Sequence, residues 1–362
     1  MFSGKTGKLI FILNTPRPMP SAAFGFAVAG AGDLNGDGTP DLLVGAASYE
    51  GSGKIFVFSG KDASPLHVLQ APHRQIGAGF GWAVSALRDG TDDHVPEIVV
   101  GAYGEEGTGR VFVFDGHSGN LVRVLAAPQT SGGGAFGWSV ADAGDLDKDG
   151  ASDILVGAPY SAGEKTPVQG RVYAFSGKTG KLLLTMNDPR PHPGAVFGWR
   201  VVAAGDTNKD GIPDILVGAP YKDIADIRAQ GEAFVFSGAD GALLYTLTHP
   251  VPKPYGCFGY TLLQGPDINS DGVPELLVSA PFQTVDQFHI QGEVFVFNGR
   301  DGRHLTTFDD PYPFQGAAFG YTMAAPGDVN GDKFPDFAFG AAGQFVMDKM
   351  AVGRLFVTLS RQ

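Results

Sequence analysis

The stretch DLDKDGASD, residues 145–153, places carboxylates at positions 1, 3, 5 and 9 and a glycine at position 6. Oxygen donors at alternate positions of a short loop are what a hard cation needs, because calcium takes six to eight oxygens at about 2.3–2.6 Å. The glycine permits the sharp turn that folds the donors inward. Four more stretches keep the pattern: DLNGDGTPD (33–41), DTNKDGIPD (206–214), DINSDGVPE (267–275) and DVNGDKFPD (328–336). The candidate ligands are Asp33, Asn35, Asp37, Thr39 and Asp41 in the first loop, and Asp145, Asp147, Asp149, Ala151 and Asp153 in the next. Asp206, Asn208, Asp210, Ile212 and Asp214 follow, then Asp267, Asn269, Asp271, Val273 and Glu275, then Asp328, Asn330, Asp332, Phe334 and Asp336. The seventh position of each set would give its backbone carbonyl. A related stretch, DGTDDHVPE (89–97), keeps Asp89, Asp93 and Glu97 but has Thr91 at position 3 and His94 where glycine belongs, so it is expected to be weak or empty. Lys333, at position 6 of the last loop, brings a cation near the donors and strains the turn.

Two other readings compete for these loops. A polar turn would use Asp and Asn for local hydrogen bonds only, but a turn does not require four donors in register. Paired carboxylates can also do acid–base work, yet near-equal copies would make six active sites in one chain. An EF-hand needs a glutamate at position 12 and flanking helices; position 12 after Asp145 is Val156, inside an apolar run that reads as a strand. The five good loops hold 16 of the 38 acidic residues, and five calcium ions would bring +10 against a net charge of −12. Without metal, these carboxylates repel one another.

The elements that carry the loops form one repeat, met six times. Phe-Gly-aromatic occurs at Phe24-Gly25-Phe26, Phe80-Gly81-Trp82, Phe136-Gly137-Trp138, Phe197-Gly198-Trp199, Phe258-Gly259-Tyr260 and Phe319-Gly320-Tyr321, at spacings of 56, 56, 61, 61 and 61 residues. An Asp follows nine residues after each Phe. Each repeat holds four short runs rich in Val, Ile, Phe and Leu, bounded by Gly, Asp and Pro, as strands are. A period of this size with four antiparallel strands is the composition of a propeller blade. The expected fold is all-β: a β-propeller of six four-stranded antiparallel blades, with six blades of a seven-bladed propeller as the alternative. Residues 1–9, MFSGKTGKL, match 174–182, AFSGKTGKL, at all but the first position. The N-terminal strand, about 5–14 with Lys8–Leu13 at its centre, is therefore expected to complete the last blade of a single domain, 1–362.

With the FG pair, the acidic loop and a following Gly-Ala-Pro (Gly157-Ala158-Pro159 and Gly218-Ala219-Pro220, altered in the other repeats), the sequence resembles the FG-GAP repeat family, which includes the β-propeller of integrin α-chains. The resemblance implies calcium loops between the first two strands of each blade and an extracellular adhesive or ligand-binding role. It carries over to the acidic positions only. Well-known members have seven blades. No interval exceeds 61 residues, so no inserted metal-dependent adhesion domain is present.

In such a blade the 1–2 and 3–4 turns share one end, and the 2–3 and 4–1 connections share the other. Arg17, Tyr160, Arg190, His192, Tyr221, Tyr255, Phe282 and Tyr312 fall in the latter, more variable loops, where binding residues concentrate. Aromatics beside charges suit a protein or glycan, and stiffened loops with packing aromatics are the plain alternative. Trp82, Trp138 and Trp199 read as inter-blade core. Net charge −12 argues against nucleic acid, and no apolar run is long enough to cross a membrane. The Gly-Lys-Thr triplets at 4–6 and 177–179 lack a phosphate loop's upstream glycine and following helix, and neither a zinc nor a nucleophile signature is present. The expectation is a non-enzymatic, monomeric domain with about five structural calcium ions. Such loops suit extracellular or cell-surface calcium levels. A hydrolase or lyase working in a central channel, or a structural module of a larger surface protein, are the competing classes.

Overall fold

The computed structural model describes residues 1–88, 95–128, 134–162, 168–343 and 353–358. The chain is all-β, with two single-turn 3-10 segments, Tyr49–Gly51 and Glu105–Gly107, as its described helical residues. The first sheet contains β1 (Phe24–Gly32), β2 (Asp41–Ala46), β3 (Lys54–Phe58) and β4 (Pro65–Leu69). The second contains β5 (Ala83–Leu87), β6 (Glu97–Ala102), β7 (Arg110–Phe114) and β8 (Leu121–Leu125). The third contains β9 (Ser139–Gly144), β10 (Asp153–Ala158), β11 (Arg171–Phe175) and β12 (Leu182–Asn187). The fourth contains β13 (Val201–Gly205), β14 (Asp214–Ala219), β15 (Glu232–Phe236) and β16 (Leu243–Leu247). The fifth contains β17 (Leu262–Gln264), β18 (Leu276–Ala280), β19 (Glu293–Phe297) and β20 (His304–Asp309), and the sixth β21 (Phe319–Gly327), β22 (Asp336–Ala341) and β23 (Arg354–Thr358). Every sheet is a sequential antiparallel meander, the blade of a β-propeller, as the spacing predicts.

The chain divides into two compact units, Met1 with Leu9–Asp188 and Phe2–Lys8 with Pro189–Gln362. In the first unit, consecutive sheets meet through apolar side chains. Leu43, Ile55 and Val57 pack with Phe80, Ile98, Phe112 and Phe114. Val99, Val111 and Val113 pack in the same way with Phe136, Ile154, Val156 and Phe175. In the second unit Leu216, Val235 and Leu247 join Phe258, Val278, Phe295 and Phe297. Each fully buried Phe contributes about 1.5–3 kcal/mol relative to exposure. The FG phenylalanines Phe80, Phe136, Phe197 and Phe258 have no accessible surface.

The glycine of the Gly-Ala-Pro element has a spatial reason. A Cβ on Gly45, Gly101 or Gly218 would fall 2.3, 2.0 or 2.1 Å from the carbonyl oxygen of the FG glycine in the next repeat. Backbone therefore meets backbone at these seams, and any side chain would force the sheets apart.

The N-terminal turn forms as the sequence match predicts: Ser3 N donates to Lys8 O at 2.8 Å, as Ser176 N does to Lys181 O. It groups with the second unit, where a Cβ on Gly4 would touch Val329 at 3.1 Å. The residues after it bond back to Met1, Ile10 N donating to Met1 O at 2.9 Å. Among the described residues no ladder joins them to β23, so the sixth sheet shows three strands.

Candidate metal loops and the opposite loop end

Each acidic loop runs between the first two strands of its sheet, and its backbone follows from its own side chains. In the first loop, Asp33 accepts from the N–H groups of Gly36, Asp37 and Gly38 at 2.8–3.1 Å, and Asn35 Oδ1 accepts from Asp37 N at 2.9 Å. The bonds from positions 5 and 6 recur around Asp145, Asp206, Asp267 and Asp328. Two residues per loop take the left-handed conformation. Position 6 does so at φ 83°, 89°, 83° and 81° in Gly38, Gly150, Gly211 and Gly272, and at 74° in Lys333. A side chain there costs on the order of 1 kcal/mol, so the strain expected at Lys333 has a structural basis. Position 4 does so as well, in Lys148, Lys209 and Ser270 at φ 60–62°, which the sequence pattern did not disclose.

The third loop has the strongest donor set. One carboxylate oxygen from each of Asp145, Asp147 and Asp149 lies within 4.8 Å of the others. Three hard anionic oxygens at that separation fit a hard divalent cation, with a backbone carbonyl and water to fill the shell. In the first and last three loops Asn replaces the middle carboxylate, so the charge is lower while the oxygen remains. Residues 89–94 lie outside the described residues, so of the candidate donors in the stretch 89–97 only Glu97, the first residue of β6, is placed.

The ninth position is different from the rest. Asp41, Asp153, Asp214, Glu275 and Asp336 are fully buried. One oxygen accepts from the backbone N–H at position 2: Leu34 to Asp41 at 2.9 Å, Leu146 to Asp153 at 2.7 Å, Thr207 to Asp214 at 2.9 Å, Ile268 to Glu275 at 2.8 Å and Val329 to Asp336 at 2.9 Å. In three sheets the other oxygen accepts from the hairpin glycine after the third strand, from Gly60, Gly177 and Gly238 at 3.0–3.1 Å. Position 9 thus staples the 1–2 loop to the 3–4 hairpin. Burial, with Asp147 and Asp149 nearby, pushes Asp153 up to about 6 against the pull of its two N–H donors. Burial raises Asp214 and Glu275 as well. A cation beside them would reverse that direction.

The hairpins supply further partners that the loop pattern alone does not show. Ser59 Oγ donates to Asp37 at 3.4 Å, and Asn298 Nδ2 donates to Asp271 at 2.7 Å, which holds Asp271 below the usual carboxylate range. Lys178 Nζ reaches Asp149 O at 3.1 Å, and Lys209 Nζ reaches Asp271 O in the next loop at 2.7 Å. The recurring Ser-Gly, Asp-Gly or Asn-Gly after the third strand of the first five repeats was the available signal.

At the opposite end, the aromatic residue of each FG triplet sits just before the first strand, or within its start in β1 and β21. These side chains are half-buried or exposed and touch along each unit. Phe26 lies 4.3 Å from Trp82, Trp82 4.7 Å from Trp138, and Trp138 5.5 Å from Tyr160. In the second unit Trp199 lies 5.4 Å from Tyr221 and 5.5 Å from Tyr260, and Tyr260 lies 5.1 Å from Phe282 and 5.3 Å from Tyr321. The three tryptophans therefore do bridge neighbouring sheets, but at a solvent-facing edge rather than in the closed core. The structure gathers Tyr160, Tyr221 and Phe282 onto these rows. It leaves Arg17, His192, Tyr255 and Tyr312 apart from them. Arg17 accepts at its carbonyl from Tyr49 Oη at 3.0 Å, and His192 Nδ1 lies 3.0 Å from the carbonyl of Pro193. Tyr255 is exposed at φ 61°, and Tyr312 stacks on Phe356 beneath the Arg354 guanidinium. Arg190 is not a free cation: it pairs with buried Glu232 at 2.5 Å, which also meets buried Lys222 at 3.0 Å.

Comparison with known proteins agrees with this geometry. The FG-GAP repeat family matches residues 24–58, 136–175, 197–236 and 258–297. Integrin alpha-4 of Xenopus laevis is 31% identical over 258 residues, 67% of this chain and 23% of that protein. Integrin alpha-7 of Rattus norvegicus is 28% identical over 313 residues, 77% and 26% respectively. The chain thus spans about a quarter of the length of these relatives. Among solved structures, BBS1N in complex with ARL6DN, soaked with lead, superposes with a TM-score of 0.52 at 14% identity, covering 86% of this chain and 74% of that one. That likeness concerns the fold alone. The chain carries FG-GAP repeats on a β-propeller architecture and is similar to the integrin alpha chains.

Proposed function

We propose that the chain is a calcium-stabilised binding module that recognises a protein or glycan through the loop end opposite its metal loops, in an extracellular or cell-surface setting. The observation that carries this reading is the pair of aromatic rows. Phe26, Tyr160, Tyr221 and Tyr321 are exposed at their edges, between 36% and 53% of their surface. Broad, rigid aromatic surface beside charged loops binds at low entropic cost. The similarity to integrin alpha chains, an adhesion family, supports the same role.

In this reading about five calcium ions occupy the loops at 33–41, 145–153, 206–214, 267–275 and 328–336. Bound calcium would supply attraction among carboxylates that otherwise repel. The protein's own contribution is to hold the donors by the position-1 hydrogen bonds and to anchor each loop through its buried ninth residue. The metal is structural, no catalytic step is assigned, and residues 1–362 act as one monomeric domain.

The test is a glycan array and a surface-protein pull-down, each with calcium and with chelator. Calcium-dependent capture that Tyr221→Ala abolishes is the expected result. Silence on both supports a purely structural module instead.

A further inference from the structure

The aromatic residue of the FG triplet is Phe26, Trp82, Trp138, Trp199, Tyr260 and Tyr321 in turn, so tyrosines follow one another only in the fifth and sixth repeats. Their rings lie 5.3 Å apart, tilted by 43°, and the Tyr260 hydroxyl donates to the Tyr321 hydroxyl oxygen at 3.3 Å. The two hydroxyl-bearing edges therefore face each other. The ring carbons ortho to each hydroxyl, one bond from the C–O carbon, are brought close with them. The pair is also pinned at its roots. Thr261 Oγ1, beside Tyr260, donates to Tyr321 O at 2.9 Å, and Phe319 N donates to Gln291 O of the fifth repeat at 2.7 Å. Reacting groups held in this way need little further ordering to join.

The chemistry of a phenol suits this geometry. It gives up one electron and one proton to become a radical whose unpaired electron is shared between the oxygen and the ortho carbons. Tyr321 is 38% exposed, so an oxidant can reach it from solvent. Burial, and then the bond to Tyr321, push the Tyr260 phenol up. Tyr260 therefore stays protonated and loses its hydrogen only together with an electron. Phe26 and the tryptophans of the other repeats have no phenol to couple.

We propose that Tyr260 and Tyr321 are an oxidative cross-linking site, joined by a one-electron oxidant of the peroxidase–peroxide class. Each phenol yields one electron and one proton. The two radicals form one carbon–carbon bond between ortho positions, and the hydrogen on each bonded carbon moves to its own ring oxygen, restoring both phenols. The two electrons and two protons reduce one hydrogen peroxide to two waters. The product is a covalent staple between the fifth and sixth sheets, linking residues 61 apart in the chain. A link of that span restricts the unfolded chain, as a disulfide does. It falls at the junction where Ser279 stands in place of the seam glycine, and so secures a contact that the glycine secures elsewhere. The site depends on neither the metal nor the ligand reading.

The experiment treats the full chain, in calcium, with a haem peroxidase and one equivalent of hydrogen peroxide. The readouts are dityrosine fluorescence, peptide mapping by mass spectrometry and native-state hydrogen exchange. The variants are Tyr260→Phe and Tyr321→Phe, which keep the ring and lose the hydroxyl. Matching melting curves of parent and variants show that a lost signal reports the missing hydroxyl. The expected product is a peptide pair two hydrogens lighter than its parts, joining Tyr260 to Tyr321 within one chain. Dityrosine should exceed that of either variant at least tenfold. The linked chain should exchange the amides of β21–β23 at least tenfold more slowly than the unlinked one. Equal dityrosine in parent and Tyr260→Phe overturns the inference, as does a link found only between chains. Oxidation that ends at Trp199 and leaves both tyrosines intact overturns it too. A linked pair with unchanged exchange in β21–β23 refutes the staple and leaves only the modification site.

Discussion

Asp153 and Glu293 are both recessed acids, one at each end of a repeat, and they are treated differently. Both oxygens of Asp153 accept backbone N–H groups, from Leu146 and Gly177. Glu293 Oε2 accepts no hydrogen bond, and His249 Nε2 stands 3.7 Å away. The contrast is general. Nine buried side-chain polar atoms lack a hydrogen bond among the described residues, Glu232 Oε2 having only its ion pair with Lys222, and only Glu275 Oε1 belongs to the acidic-loop end. The other eight lie in or beside the 2–3 and 4–1 connections, in Glu105, Gln230, Glu232, His249, Gln283, Gln291, Glu293 and Asp310. Equivalent positions there also differ in chemistry: Lys222 corresponds to Gln283, and His249 to Asp310. One end repeats because it holds the fold. The other diverges and leaves polar groups for water or a ligand to satisfy.

The most severe way to break this contrast is to remove divalent cations. Chelation is expected to lower Tm by more than 10 °C, since each site at a hundredfold excess over Kd contributes about 2.7 kcal/mol. A melting curve that ignores the chelator would refute the metal reading of the loop end. Next comes Asp214→Ala, which strands the N–H groups of Thr207 and Gly238. It should cost about 3 kcal/mol by urea midpoint in calcium. Asp214→Asn should cost less in chelator than in calcium, because burial already disfavours the charge there. At the other end, Tyr221→Ala should cost under about 1 kcal/mol yet weaken ligand capture at least tenfold. Equal losses in both would place Tyr221 in the scaffold.

Glu105 gives a smaller, pH-dependent effect. It is buried, with Oε2 unpartnered, and burial and then Glu106 raise its pKa above the usual value. A carboxyl raised on folding stabilises below its unfolded pKa, about 4.3, and that contribution is lost as pH rises through the folded value. Glu105→Gln should therefore raise Tm at pH 7.5 and leave it unchanged near pH 4. The smallest effect is at Lys148, held at φ 60°. Lys148→Gly should be neutral or stabilising by up to about 1 kcal/mol, read from the same urea curves.

Much of the fold was legible because its signals are local and repeat. The FG spacing marked the start of each first strand, and the alternating runs marked β2, β3 and their equivalents. The loop donors were legible for the same reason. The role of position 9 was not, because its partners, Gly60, Gly177 and Gly238, lie about 20 residues away and are joined only when the hairpin folds back. Position 4 was opaque because Lys148 and Lys209 are not residues that announce a left-handed turn. The pairing of Arg190 with Glu232 likewise depends on contacts across the connections of the fourth sheet, which no spacing in the chain encodes.

The seam glycines set the order in which the structure would come apart. Gly45, Gly101 and Gly218 let one sheet close onto the next, but the fifth repeat has Ser279 at this position. Ser279 Oγ turns inward and accepts from Thr261 N at 3.1 Å, and a Cβ on Gly320 of the sixth repeat would stand 3.0 Å from Ser279 Cβ. At this one point the fifth and sixth sheets therefore meet through a side chain, although Gly292 still lets backbone approach Phe319 O. Partial opening is expected to begin at this junction. Native-state hydrogen exchange should find the amides of β21–β23 released through a lower-energy fluctuation than those of β9–β11, whose neighbours are locked by glycine.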